Sequence, residues 1–80
     1  ARSMEANTTG TRNTAVGNGT LLSNTAGNNS TALGYLALLE NTASDNTAVG
    51  SLALDANTTG TANVAVGVDA LGANTTTSNN

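Results

Sequence analysis

Few side chains in this chain of 80 residues could carry acid–base or metal chemistry. Its carboxylates are Glu5, Glu40, Asp45, Asp55 and Asp69. A retaining glycosidase needs two carboxylates about 5 Å apart, and calcium binds clusters of Asp and Asn oxygens. The chain has no His or Cys, so the commonest general base and the best nucleophile are missing. We therefore expect no enzyme activity and no cofactor; calcium held in Asp/Asn turns stays open as an alternative.

Charge and composition exclude several other classes of protein. The basic side chains are Arg2 and Arg12 alone and the net charge is −3, so we expect no nucleic-acid partner. The longest apolar run, 35–39, has five residues, far below the roughly 18 of a membrane span. Without Cys there is no disulfide or thiolate-metal scaffold. Ala supplies 14 of the apolar residues, so a compact globule of ordinary type is disfavoured.

An internal repeat covers the whole chain. A five-residue box of the type Asn-Thr-Ala-Val-Gly recurs at 13–17, 30–34, 46–50 and 63–67. A second box of the type Asn-Thr-Thr-Gly recurs at 7–10, 24–27, 41–44, 57–60 and 74–76. The period is 16 or 17 residues, so the coils of a single array span approximately 1–12, 13–29, 30–45, 46–62 and 63–80. The chain starts and stops inside this repeat, as expected for a segment of a longer fibre.

The period and composition predict an all-β fold. Seventeen residues are too few for a helix pair or a propeller blade, whereas Thr, Val and alternating Ala favour strand and Asn and Gly favour turns. We predict a parallel β-solenoid of about five coils. At about 4.8 Å per coil it would be a rod of roughly 23 Å.

Stacked coils would place equivalent residues in columns along the rod. Three apolar columns are predicted to form the core: a Val column (Val16, Leu33, Val49, Val66), a Leu column (Met4, Leu21, Leu38, Leu54, Leu71) and an Ala column (Ala15, Ala32, Ala48, Ala65). An unbroken inner Asn column is predicted to hydrogen-bond along its length (Asn7, Asn24, Asn41, Asn57, Asn74).

Glycines and one shortened coil predict the corners. Gly10, Gly27 and Gly60, and the glycines that end the first boxes, are predicted to hold turns with positive φ. The coil 30–45 is one residue short near Ser44 and Asp45, where we expect a tighter turn.

Threonines and asparagines offer candidate surface sites. The Thr column predicts a solvated face, an O-glycan face or an ice-binding face (Thr8, Thr25, Thr42, Thr58, Thr75). Acceptor motifs for N-glycosylation occur at six asparagines (Asn7, Asn18, Asn28, Asn29, Asn57, Asn74). A buried amide stack and a sugared one exclude each other, so Asn18, Asn28 and Asn29, which lie outside the inner Asn column, are the less constrained acceptors. The sole aromatic side chain, Tyr35, is expected at the surface or between chains.

The Asn-Thr-Ala-Val-Gly box with its trailing Ala-Leu resembles the repeats of trimeric autotransporter adhesin heads, and similar arrays look common in phage tail fibres. The resemblance implies a left-handed parallel β-roll, three chains packed side by side, and a place on a cell or virion surface. The period of 16–17 is longer than the adhesin-head coil, and no neck, stalk or anchor is present.

We therefore expect an extracellular structural fibre segment: a shaft, spacer or adhesin head. Its expected partners are copies of itself, as a homotrimer or an end-to-end filament, together with cell-surface or glycan targets. Three alternatives stay open. They are a surface-binding module that uses the Thr column, a glycosylated filament subunit, and a flexible linker of low hydrophobicity with no fold.

Overall fold

The computed structural model of the chain describes residues 3–4 and 7–80. No helix occurs in these residues; the regular structure is four strands of three residues each. The strands are β1 (Thr14–Val16), β2 (Thr31–Leu33), β3 (Thr47–Val49) and β4 (Val64–Val66). The predicted all-β class is confirmed.

The four strands form one parallel sheet in the order β1-β2-β3-β4. Thr14 pairs with Thr31, Thr31 with Thr47, and Thr47 with Val64. These offsets of 17, 16 and 17 residues equal the spacing of the box glycines, so the sequence repeat sets the register directly. Parallel neighbours need a connection of a dozen or more residues, and here the rest of each repeat supplies it.

The prediction of about five coils is only partly met. The described residues hold four strands, not five. The described part of the first stretch, 3–4 and 7–12, contributes none because it lacks the five-residue box from which the described strands are built.

The Val column, predicted to be core, points outward instead. Val16, Leu33 and Val66 are 56%, 44% and 70% exposed, and Val49 is half-buried, so the Val column is not core. The reason is the alternation of a strand, in which successive side chains point to opposite faces. Because Ala of each box points inward, Thr and Val on either side of it must point outward.

The core consists of one column of large side chains and two columns of small ones. Leu21, Leu38 and Leu54 of the Leu column are fully buried, while Leu71 is 36% exposed in the last coil and Met4 is half-buried in the first. Small side chains pack against these leucines from the Ala column and from a further column not singled out in the sequence. They are Ala32, Ala48, Ala65, Ala37 and Ala53.

The Leu column also lies at turns of the coil. Leu21, Leu38 and Leu54 have φ of 48°, 53° and 51°, in the left-handed region. The carbonyl of each accepts the backbone N–H of the Asn three residues later, which closes a turn. This conformation costs about 1–2 kcal/mol for a non-glycine residue, and full burial of a leucine contributes about 1.5–3 kcal/mol in return.

Two kinds of glycine hold the corners, and only one has positive φ. Gly34 and Gly50 have φ of 126° and 128°, and a Cβ on Gly50 would lie 2.6 Å from the Gly67 carbonyl oxygen. The predicted positive φ at Gly10, Gly27 and Gly60 is wrong. These glycines are required for space instead: a Cβ on each would lie 2.5–2.6 Å from the Oδ1 of the inner Asn column.

Candidate functional surfaces

The inner Asn column lies inside the stack and is bonded along its axis. Asn24, Asn41 and Asn57 are fully buried. The Nδ2 of Asn57 donates to Oδ1 of Asn41 over 2.7 Å and to the Gly60 carbonyl over 3.0 Å. Asn74 repeats this pattern one coil later, with Asn57 Oδ1 at 2.9 Å. Asn57 and Asn74 therefore each join their own turn to the preceding coil.

A second amide column, buried in its middle members, was missed by sequence reasoning. We call it the box-Asn column: four members open the five-residue boxes, with Ser30 in the place of one amide, and the last follows at the same spacing (Asn13, Ser30, Asn46, Asn63, Asn80). The Oδ1 of Asn46 accepts the backbone N–H of Asn63 over 3.1 Å, and its Nδ2 donates to the Gly60 carbonyl over 2.8 Å. The signal was present in the regular recurrence of Asn, but Asn before a strand also fits a simple turn.

The two columns converge on one carbonyl in each full-length coil. The Gly27 carbonyl accepts from Asn13 (2.7 Å) and from Asn24 (3.1 Å). The Gly60 carbonyl accepts from Asn46 and from Asn57. A buried amide with these bonds is satisfied, so the polar half of the interior stabilises the stack instead of destabilising it.

The inner Asn column is not unbroken as predicted. Amide-to-amide bonds join Asn7 to Asn24, Asn41 to Asn57 and Asn57 to Asn74. Between Asn24 and Asn41 none is formed: Asn41 Nδ2 donates to the Ala43 carbonyl at 2.7 Å instead. Asn24 Oδ1 is buried and accepts no hydrogen bond from the described residues. The break falls where the short coil 30–45 stacks on the coil 13–29.

The Thr column lies on the outside of the stack. Thr8, Thr25, Thr42 and Thr75 are exposed and Thr58 is half-buried. The hydroxyls of Thr8, Thr42 and Thr58 each donate to the carbonyl of the next Thr in the column at 3.1–3.2 Å. These hydroxyls are therefore held in one orientation, with their remaining acceptor capacity directed to solvent.

The outer face of the sheet carries apolar and uncharged polar side chains and no charge. We call it the strand face: the outward side chains of the four strands and the residue after each box glycine (Thr14, Val16, Asn18, Thr31, Leu33, Tyr35, Thr47, Val49, Ser51, Val64, Val66, Val68). Val64 and Val68 are 60% and 72% exposed and Tyr35 is 53% exposed. Of the large apolar side chains that are exposed in the described residues, every one except Leu71 lies on this face.

The six candidate glycosylation asparagines fall into two groups. Asn57 is fully buried, and Asn7 and Asn74 are half-buried with both amide atoms bonded to protein, so a sugar on any of these three would require its amide to leave the stack. The other group lies outside the inner Asn column. Among its members Asn18 is exposed, Asn28 Oδ1 accepts from the Thr11 backbone N–H at 2.7 Å, and exposed Asn29 bonds to both Arg12 and Asp45.

The carboxylates do not assemble into a site. Glu40, Asp45 and Asp69 are exposed and Asp55 is half-buried; Glu5 lies outside the described residues. Within the part of the chain that the structure describes, no three metal-binding side chains come together and no pocket is found. No helix long and apolar enough to cross a bilayer occurs there either.

A further column of small polar residues joins successive coils. It lies two residues before the box-Asn column and includes Asn28, Ser44, Thr61 and Ser78. Thr61 donates its backbone N–H to Ser78 Oγ at 2.9 Å, and Asn28 donates its own to Ser44 Oγ at 2.8 Å. Side-chain oxygens here accept N–H groups that a strand would give to a carbonyl. Small polar residues recur at this position for that reason.

No family model matches the chain, and no curated protein and no solved structure matches it.

Proposed function

We propose that this chain is a segment of a β-solenoid fibre, with a structural role as shaft, spacer or adhesin head on an extracellular surface. One observation carries the proposal: the same contacts recur at successive coil junctions. Parallel pairing joins the four strand-bearing coils, the Leu column packs across their junctions, and buried amide bonds join Asn41 to Asn57 and Asn57 to Asn74. A single coil of 17 residues could not bury this interior, whereas a stack extends it with every added repeat.

The strand face supports self-association as the way the fibre is built. Its exposed side chains are apolar or uncharged, while Glu40, Asp45, Asp55, Asp69 and Arg12, the charged residues that the structure describes, lie elsewhere. Copies with a net charge of −3 repel each other least where they meet on an uncharged face. Burial of an apolar face is favourable in proportion to its area. Lateral packing of parallel chains, as in a left-handed trimeric roll, would cover this face; end-to-end stacking would leave it exposed.

Sedimentation and light scattering test this proposal and separate the two modes. We expect the chain to form oligomers that dissociate on dilution. Leu33→Lys puts a charge at the centre of the strand face and should yield monomers. Thr42→Lys adds the same charge to the same coil on the Thr column and should leave the oligomer intact. A parent chain that stays monomeric at every concentration would refute self-association. Linear oligomers that are unaffected by Leu33→Lys would show that self-association occurs through the ends of the stack.

A surface-binding module that uses the Thr column is the second candidate. The observation in its favour is the uniform orientation of the Thr8, Thr42 and Thr58 hydroxyls. Such a repeated array of hydroxyl and methyl groups would suit a regular ligand such as ice or a glycan chain. Thermal hysteresis tests the ice ligand, and its absence at high concentration would exclude it. A glycan array would test the other ligand class.

A further inference from the structure

Three kinds of contact fail together at one corner of the stack, where residues 24–27 of the second coil lie over 41–44 of the third. The amide bond from Asn41 to Asn24 is replaced by the turn bond from Asn41 to Ala43. The Thr25 hydroxyl does not donate to the Thr42 carbonyl, whereas the hydroxyls of Thr8, Thr42 and Thr58 each donate to the carbonyl of the next Thr in the column. In the described residues, the backbone N–H of Thr25 also has no carbonyl partner in Thr42.

The equivalent corners are closed on both sides of this one. The Thr8 N–H donates to the Thr25 carbonyl at 3.0 Å, and the Thr42 N–H donates to the Thr58 carbonyl at 3.1 Å. The cause is the missing residue of the 16-residue coil: Asn41 precedes its box-Asn by five residues, where Asn24 and Asn57 precede theirs by six. The shorter turn draws the Asn41 amide toward Ala43.

The rest of this junction remains intact. β1 pairs with β2 in full register. Leu21 N–H donates to the Ala37 carbonyl at 3.1 Å, and Leu36 N–H donates to the Asn18 carbonyl at 2.9 Å. One corner is therefore weakly joined while the sheet and the Leu column still connect the two coils.

We propose that this corner is a built-in joint, at which the second and third coils open locally while the sheet holds them together. Asn24 Oδ1 is a buried acceptor without a partner in the closed state, which costs free energy. Opening exposes this oxygen to water and removes that cost. Opening there breaks fewer bonds than at the neighbouring junctions. In a fibre the joint would let the rod bend at a defined coil. The local opening itself does not depend on the proposed fibre role.

Amide hydrogen exchange measured by NMR tests this inference. Ser23 and Glu40 are equivalent residues, both exposed, and each donates its N–H across a junction: Ser23 to Leu39 at 3.1 Å and Glu40 to Asp55 at 3.3 Å. Geometry alone predicts equal or better protection of Ser23. A joint predicts the reverse, with a protection factor at Ser23 at least tenfold below that at Glu40. Equal protection, or greater protection at Ser23, would overturn the proposal.

A length-restoring variant provides the second arm. One glycine inserted between Ala43 and Ser44 restores 17 residues and frees the Asn41 amide to reach Asn24. Protection at Ser23 should then rise at least tenfold, with Glu40 unchanged. If circular dichroism shows that the insertion prevents folding, Ser30→Asn takes its place, because Asn80 Nδ2 already donates to Asn74 Oδ1 with the same spacing of six. No rise at Ser23 in a folded variant would refute the joint. If the chain is monomeric and the Ser23 amide is still poorly protected, the proposed fibre is contradicted and the proposed joint is supported.

Discussion

The side chain of Asn57 donates to that of Asn41 over 2.7 Å, and both are fully buried in the middle of the stack. The bond runs along the axis from one coil to the preceding one, and the same amide also bonds to Gly60 in its own turn. A single side chain thus fixes both the shape of a coil and its distance from its neighbour. The interior depends on such amides as much as on its leucines.

Replacement of Asn57 should therefore destabilise the chain strongly. Asn57→Ala leaves buried partners unsatisfied, and we expect a loss of about 2–3 kcal/mol in the free energy of unfolding. Thr59→Ala, two residues away and exposed, serves as the control and should change it by less than about 0.5 kcal/mol. Urea unfolding followed by circular dichroism measures both. Equal effects of the two substitutions would refute an interior role for the amide.

The orientation of the strands gives a second prediction, with two leucines of one coil as a matched pair. Leu38 is fully buried and Leu33 is 44% exposed. Leu38→Ala should cost about 2–5 kcal/mol because it opens a cavity. Leu33→Ala should cost well under half as much in the monomer, because it removes a side chain that is already partly in water. The same unfolding experiment tests this pair. If Leu33→Ala were the more damaging, the Val column would be the core.

Two glycines separate backbone strain from steric overlap. Gly50 and Gly67 have nearly the same φ, 128° and 130°, but a Cβ on Gly50 would press on Gly67 whereas one on Gly67 would meet only Ala70 Cβ at 3.9 Å. Gly67→Ala should cost about 1–2 kcal/mol from strain alone. Gly50→Ala should cost more and lower the melting temperature further. Similar melting temperatures for the two variants would mean that successive coils do not approach as closely as described.

Sugar attachment is expected at Asn18 and not at Asn57. Asn18 is exposed, whereas Asn57 is fully buried. A glycan on Asn57 would prevent the coil that contains Asn57 from stacking. Secretion from a eukaryotic host followed by intact mass measurement tests this difference. Asn18→Gln should lower the mass of the folded product by that of one glycan. A folded, cooperatively melting chain with a glycan on Asn57 would contradict the buried amide column.

The repeat predicted the register and the Leu column because both depend only on spacing. Offsets between Thr14, Thr31 and Thr47 follow directly from the glycines, and Leu21, Leu38 and Leu54 recur at a constant place in the repeat. The orientation of the Val column was not predictable in the same way. In a three-residue strand either Ala or its two neighbours can face inward, and hydrophobicity wrongly favours Val.

The missing bond between Asn24 and Asn41 could not be predicted from the sequence, for a different reason. The missing residue near Ser44 was visible, and a tighter turn could be expected from it. Which bond would be lost depends on where the Asn41 amide goes when its turn shortens, toward Ala43 or toward Asn24. That choice is decided by three-dimensional geometry. The box-Asn column was overlooked for a related reason, because an Asn that bonds to a neighbouring coil has the same sequence signature as an Asn in a turn.

A cryo-EM map of the native particle that contains this chain would test the stacked solenoid and its lateral assembly together. We expect coils stacked at about 4.8 Å, with Asn41 and Asn57 in contact inside each stack and the strand face, including Leu33, covered by a neighbouring copy. A map without stacked coils would contradict the solenoid. Stacked coils whose strand faces lie bare in solvent along the whole particle would contradict lateral assembly of the fibre.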